Sequence, residues 1–245
     1  VGSPARLDRE IARLKNYVVC LKHGTKYGPE YVNTLYQMIS RNISIDYEFV
    51  CFTERPKKLH KNIRIEPLPE LGVQGWWYKP MFFNPDLPIK GNILYLDLDV
   101  IVFQNIDKFF DFETDKFCII RDFNRHVNPN WKKMNSSCFR LRTGDQSHVY
   151  TNYVNDIKNV SKRFFGDQDW IFSQVKENYE FWPDEWIQSY KWEMRGKPPM
   201  TRINGVRNFV NPGEPKILPE TSVAVFHGEP NPPQCQDQWV IDNWR

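Results

Sequence analysis

The run Asn92-Ile93-Leu94-Tyr95-Leu96-Asp97-Leu98-Asp99-Val100-Ile101-Val102-Phe103 constrains this chain more than any other stretch. Its first apolar segment has the composition of an interior strand of an α/β sheet, buried on both faces. Two carboxylates end that segment, one residue apart, and a second apolar segment follows at once. In an open α/β sheet, ligands bind beyond the carboxyl ends of the strands. Paired carboxylates there suit a divalent cation, because Mg²⁺ takes oxygen ligands and Mn²⁺ accepts the same set. Asp also favours turns and helix caps, so an Asp-x-Asp pair alone reads equally well as a solvated turn. A second pair, Asp167/Asp169, follows Gly166, where a helix dipole is reason enough for acidic residues. The apolar strand in front of it is what distinguishes Asp97/Asp99.

Composition narrows the class of protein. A length of 245 residues suits one domain, or one domain with a subsidiary lobe. Nine Trp and eleven Tyr exceed what packing requires. Their flat apolar faces and polar edges suit a wet, partly apolar ligand such as a sugar, although most of the Trp read as core. The net charge of +3 is scattered along the chain and gives no nucleic-acid footprint. No apolar segment reaches the 18 residues or so that a membrane span needs. Five cysteines, an odd number with no Cys-x-x-Cys, point to a reduced compartment, and a soluble cytoplasmic protein is the expectation. The chain begins Val1-Gly2-Ser3-Pro4 without Met, which leaves open a trimmed lumenal domain of the secretory pathway.

In chain order, residues 1–16 read as a short N-terminal arm or remnant, with Leu7, Ile11 and Leu14 at helical spacing, and 17–245 as a single domain. A strand over 17–21 leads through Lys22-His23-Gly24-Thr25-Lys26-Tyr27-Gly28-Pro29 into a helix with Tyr31, Leu35, Met38 and Ile39 on one face. A strand over 48–53 completes a strand–loop–helix–strand unit, the opening of a nucleotide-binding α/β sheet. Lys79, among aromatics ahead of the carboxylate strand, either reaches a phosphate or snorkels to the surface. Further on, the pattern predicts a short helix near 105–111, strands over 117–120 and 135–141, a helix over 144–160 and another opening at Gly166. Residues 181–216 read as a long irregular segment around 186–191. The last strand, 222–226, ends on His227-Gly228. His227 repeats the logic of the carboxylates: an apolar run stops on one metal-capable side chain. Alone it reads as structural; beside Asp97 and Asp99 it reads as a third ligand.

Two enzyme classes fit these carboxylates. Asp97-Leu98-Asp99-Val100 matches the nucleophile motif of haloacid-dehalogenase-type phosphatases, with Asp97 as nucleophile and Asp99 as acid. That motif normally sits on the first strand of its domain, whereas two strands and a helix precede it here. The order of motifs over about residues 17–234 resembles more specifically the DXD, glycogenin-like glycosyltransferases of the GT-A fold and related bacterial and viral enzymes. Gly24-Thr25-Lys26-Tyr27 resembles their base-binding loop, Lys79 their donor-binding lysine, Asp97-Leu98-Asp99 the DXD, and Asn135-Ser136 the Asn-Ser facing the donor sugar. Gly166-Asp167-Gln168 resembles their Asp-Gln, and His227-Gly228-x-Pro their metal-binding and phosphate-binding tail.

The resemblance implies an α/β fold of GT-A type, a single Rossmann-like nucleotide-binding domain with a mixed central sheet and helices on both faces. It implies Mn²⁺ or Mg²⁺ on Asp97, Asp99 and His227, and a nucleotide-sugar donor, UDP the expected base, held by Gly24, Thr25, Tyr27, Lys79, Asp97, Asn135, Ser136 and Gly228. Asp167 and Gln168 would act at the sugar, with retention of configuration. An inverting enzyme would instead need a base such as Asp169, Asp184 or Glu185. The acceptor is open: a glycan, a lipid, a protein or a small molecule. Trp170, Trp182 and Trp186 are candidates for its groove and equally for the core. Related tails usually carry Lys where this chain has Asn231, so Lys191, Arg195 or another cation would have to replace it, or donor affinity is low; the same departure favours a third class, a sugar- or nucleotide-binding pseudoenzyme on this fold.

Overall fold

The structure, a computed structural model, describes residues 14–245. Most of the arm read over 1–16 lies outside these residues; Lys15 and Asn16 belong to the first strand.

Strand β1 (Lys15–Lys22) is followed by α1 (Pro29–Arg41), β2 (Glu48–Thr53) and β3 (Arg64–Glu66). A 3₁₀ segment, Gly75–Phe83, precedes β4 (Gly91–Leu96) and the short β5 (Val100–Val102). Next come α2 (Lys108–Asp111), β6 (Phe117–Arg121) and β7 (Met134–Arg142). The segment read as one helix over 144–160 is two, α3 (His148–Asn155) and α4 (Ile157–Arg163), because the backbone leaves helical geometry at Asp156. Then follow α5 (Asp167–Gln174), β8 (Tyr179–Phe181), β9 (Ile187–Ser189), β10 (Met200–Ile203), β11 (Val206–Phe209), β12 (Val223–Val225) and α6 (Gln238–Asn243). The segment read as irregular over 181–216 therefore holds three strands. They are short, and their strand state comes from pairing: β9 on β12, and β10 with β11 as a hairpin.

Seven strands form the central sheet, in the order β3-β2-β1-β4-β7-β6-β8. β3, β2, β1 and β4 run parallel, and β7 is antiparallel to both β4 and β6. Alternation along a strand sends successive side chains to opposite faces. Val18 and Cys20 of β1, with Leu94 and Leu96 of β4, pack with α1 on one face. Tyr17, Val19 and Leu21, with Ile93 and Tyr95, pack with Met81, Phe82 and Phe83 of the 3₁₀ segment and Trp170 of α5 on the other. Strands apolar on both sides are the signature of a sheet covered on both faces.

Gly91 opens the strand that carries the carboxylates. Its φ is +156°, and a Cβ there would stand 2.1 Å from the carbonyl oxygen of Lys15, its partner on β1. Backbone, not a flexible side chain, blocks that space. Gly91→Ala is therefore expected to destabilise the fold by about 3 kcal/mol, the upper end for overpacking, read as a lower urea midpoint. An unchanged midpoint would contradict this register.

Candidate active site

The parallel direction of β1 and β4 brings the loop after Lys22 and the end of β4 to the same edge of the sheet. A cavity of about 400 Å³ opens there, at the carboxyl ends where α/β sheets bind ligands. Tyr27, Lys79, Asp97, Asp99, Asn135, Ser136, Asp167, Gln168 and His227 all line it. Of the residues expected to hold the donor or the metal, Gly24, Thr25 and Gly228 do not. Gly24 (φ +68°) donates its N–H to Glu54 Oε1 at 2.7 Å, Thr25 is exposed, and Gly228 (φ +77°) turns the chain after His227.

Parity explains the Asp-Leu-Asp arrangement. Leu98 is buried with Leu94 and Leu96, while Asp97 continues the face of Ile93 and Tyr95. The ladder runs one residue beyond β4, since Asp97 N–H donates to Ser137 O at 2.9 Å. This pairing lays the polar start of β7, Asn135-Ser136-Ser137, beside Asp97. The other half of the site comes from the small sheet β5-β12-β9. β12 pairs antiparallel with β5, Val225 opposite Val100, and Phe226 N–H donates to Asp99 O at 3.0 Å. His227 thereby reaches the same edge as Asp99. β9 runs parallel to β12 with Ser189 beside Val225, and Ser189 Oγ lies 2.6 Å from His227 Nε2.

Lys79 neither snorkels nor stands free. It is buried, with Nζ 2.8 Å from Asp97 Oδ1, 3.1 Å from Ser136 Oγ and 3.9 Å from Asp167 Oδ2. Ser136 Oγ donates to Asp167 Oδ2 at 2.6 Å, and Tyr95 OH to Asp97 Oδ1 at 2.7 Å. Burial alone would lower the Lys79 pKa; Asp167 and Asp97 outweigh it and hold the ammonium above its ordinary value. Burial raises Asp167, partly offset by Lys79 and the Ser136 hydroxyl. Asp99 accepts from Tyr27 OH at 3.0 Å, and its pKa is pushed up by burial first and by the neighbouring Asp97 second. His227 is held down to about 4, by burial and then by Lys191, so its imidazole is neutral at pH 7. Phe123 stacks on its ring at 5.5 Å between centroids and Trp192 meets it edge-on at 4.5 Å.

The donor set suits a hard divalent cation. Two carboxylates face one cavity, one of them unfavourably charged where it stands, near a neutral imidazole. Ser189 Oγ on Nε2 holds the His227 ring in place, as outer partners of ligating histidines do. Among the described residues, however, no three His, Cys, Asp or Glu side chains stand close enough together to hold a metal as they are.

Several expectations change. Arg195 does not replace the missing tail lysine: it forms an ion pair with buried Asp237, which also accepts from Tyr190 OH at 2.6 Å. Lys191 donates to Glu229 O at 2.7 Å and to His227 O, bracing the turn at Gly228, and burial lowers its pKa to about 8. Trp170 and Trp182 are core residues, and Trp186 packs on Phe109 and Phe112, so none of the three lines the cavity. Asp184 is taken by Arg121 and Arg125, whereas Asp169 lines the cavity. Sequence reasoning missed Tyr95 and Ser189. Tyr95 lies two residues before Asp97, so the period of a strand could have found it. Ser189 carries no such signal.

No known protein family matches the chain, and neither does any curated relative. Among solved structures it is similar to the apo form of the glycosyltransferase GlyE of Streptococcus pneumoniae TIGR4, with a TM-score of 0.59 at 12% identity, over 91% of this chain and 56% of that one. A second GlyE structure gives 0.55 at 14% identity, over 71% and 46% of the two chains. The apo bifunctional glycosyltransferase WbbM gives 0.58 at 12% identity, over 95% and 51%. The chain thus spans about half the length of the structures it matches. At such identities the likeness carries the fold. The chain has the expected mixed α/β, GT-A-like fold, with its central sheet covered by helices. None of its described helices is long and apolar enough to cross a membrane.

Proposed function

We propose that this chain, from residue 17 on, is one transferase domain that moves a sugar from a nucleoside-diphosphate donor, UDP the expected base, to an acceptor. The observation that carries this reading is the hydrogen-bonded group Lys79–Asp97–Ser136–Asp167 beside Asp99, gathered in one cavity at the carboxyl edge of the sheet. The phosphatase motif belongs on the first strand of its domain, whereas here Asp97 and Asp99 follow β4, with β1, β2 and β3 before it.

Asp97 and Asp99 would hold Mn²⁺ or Mg²⁺, with His227 as the third ligand. Such an ion supplies Lewis-acid stabilisation of the charge that builds on a departing diphosphate. Lys79 fixes Asp97 and adds positive charge beside that site, a preorganised electrostatic contribution. Tyr27, on the loop after β1, orients Asp99 and closes the nucleotide side of the cavity. Asn135 and Ser136 face the donor sugar, and Asp167 and Gln168 orient it at its reacting carbon. Retention of configuration follows the resemblance to glycogenin-like enzymes. Gly24, Thr25 and Gly228 shape the two loops that close on the donor rather than touching the cavity.

The direct test is turnover. UDP-sugars incubated with the protein and Mn²⁺ are expected to yield UDP, by hydrolysis or transfer, detected by mass spectrometry. Binding of UDP with no turnover of any donor would make the chain a binding protein on the same fold. Ser189→Ala is expected to weaken Mn²⁺ binding about tenfold, the lower end for a lost partner of a ligating histidine, measured by electron paramagnetic resonance. Unchanged affinity would show that Ser189 does not support a metal-binding His227.

A further inference from the structure

Two aromatic side chains at the mouth of the cavity expose their faces to water. Phe165 is 98% exposed and Trp76 is 52% exposed, yet both line the cavity together with Asp167, Gln168 and Asp169. They come from separate segments, Trp76 from the one that carries Lys79 and Phe165 from the residue before Gly166. These segments adjoin, since a Cβ built on Gly166 would stand 3.9 Å from Trp76 Nε1. In each case the chain neighbour turns inward. Phe164 meets Trp170 edge-on at 5.4 Å, and Trp77 packs against the core. Among the described residues, neither Trp76 nor Phe165 packs on another aromatic ring, and the Trp76 indole N–H has no acceptor.

Apolar faces left in water at the rim of a cavity mark a ligand surface. Their polar neighbours decide which ligand. Gln168 offers an amide and Asp169 a carboxylate, the latter 3.8 Å from the exposed Lys133 ammonium. His23, with Nδ1 accepting from Gly75 N–H at 3.2 Å, completes the rim. Flat aromatic faces suit the C–H face of a sugar ring, and an amide with a carboxylate suits its hydroxyls. An acyl chain has no use for either polar group.

We propose that Trp76 and Phe165 form a carbohydrate-binding subsite that takes the terminal sugar ring of a glycan at the cavity mouth. That this glycan is the acceptor rests on the transferase reading; that it binds does not.

The test uses the whole chain on a printed array of oligosaccharides ending in glucose, galactose, mannose, N-acetylglucosamine or N-acetylgalactosamine. Phosphatidylcholine vesicles and a UDP titration with Mn²⁺ run in parallel. Wild type is expected to bind a subset of the array and not the vesicles. The double variant Trp76→Ala/Phe165→Ala is expected to lose glycan binding by about tenfold or more, with UDP affinity and melting temperature kept. Absence of glycan binding by wild type, undiminished binding by the variant, or capture by vesicles instead would overturn the subsite. Loss of UDP affinity in the variant would also overturn it, assigning the rings to the nucleotide. A wild type that binds glycans but not UDP would leave the subsite standing and defeat the transferase reading.

Discussion

Asp99→Asn removes metal-dependent nucleotide binding and turnover by about 100-fold or more, the scale of losing one anchor of transition-state charge stabilisation, while the fold becomes no less stable. The two halves of this result have opposite physical origins. The proposed function asks Asp99 for a negative charge that a cation can bind. Folding asks the reverse, because the carboxylate is desolvated and stands beside Asp97. Asn keeps the shape and can still accept from Tyr27 OH, as the carboxylate does at 3.0 Å. The variant therefore separates the two roles. Turnover of a UDP-sugar and a thermal melt read them independently. A large loss of stability with turnover intact would show that Asp99 is a structural residue.

Lys79→Met has the largest effect expected on stability. The ammonium is buried between Asp97 and Asp167, with Ser136 completing its shell. Methionine preserves most of the stem and removes the charge, leaving two carboxylates facing each other without a cation. Breaking a buried pair in this way costs roughly 3–5 kcal/mol, to be read from urea denaturation. Adding Asp167→Asn to the variant relieves one of the unpaired charges and is expected to recover part of the loss. A cost below about 1 kcal/mol, the scale of an exposed pair, would mean that the network is solvated and that Lys79 does not organise the site.

The legible half of this site is the half written in strand periodicity. β4 and its two carboxylates stood out because five residues of interior-strand type ended on paired charge, and the same alternation that buried Leu98 aimed Asp97 into the cavity. The polar start of β7 was legible for the same reason. His227 was placed correctly at a strand end, but its partner Ser189 was not visible. β9 is three residues long in a stretch rich in Trp and Pro, and only its pairing with β12 makes it a strand. Tertiary pairing of that kind leaves no periodic trace in the sequence. The tryptophans were ambiguous for another reason. Trp170, Trp182 and Trp186 looked available as ligand platforms, yet they pack inward, while Trp76 and Phe165, in less conspicuous positions, face solvent at the cavity. Composition reports how many aromatic faces a chain owns, not which of them water touches. Lys79 shows the limit of the single-residue view: two carboxylates, one just after β4 and one at the start of α5, keep it from solvent, and only the fold brings them to it.

The central claim is that one cavity, built from the ends of β4, β7 and β12, binds a nucleoside diphosphate through a divalent cation. Calorimetric titration of UDP into the protein, with and without Mn²⁺, tests it most directly. Saturable UDP binding that requires Mn²⁺, competes with UDP-sugars, and is lost in His227→Ala is the expected result. Absence of nucleotide binding under both conditions, or binding indifferent to Mn²⁺ and to His227→Ala, would contradict it.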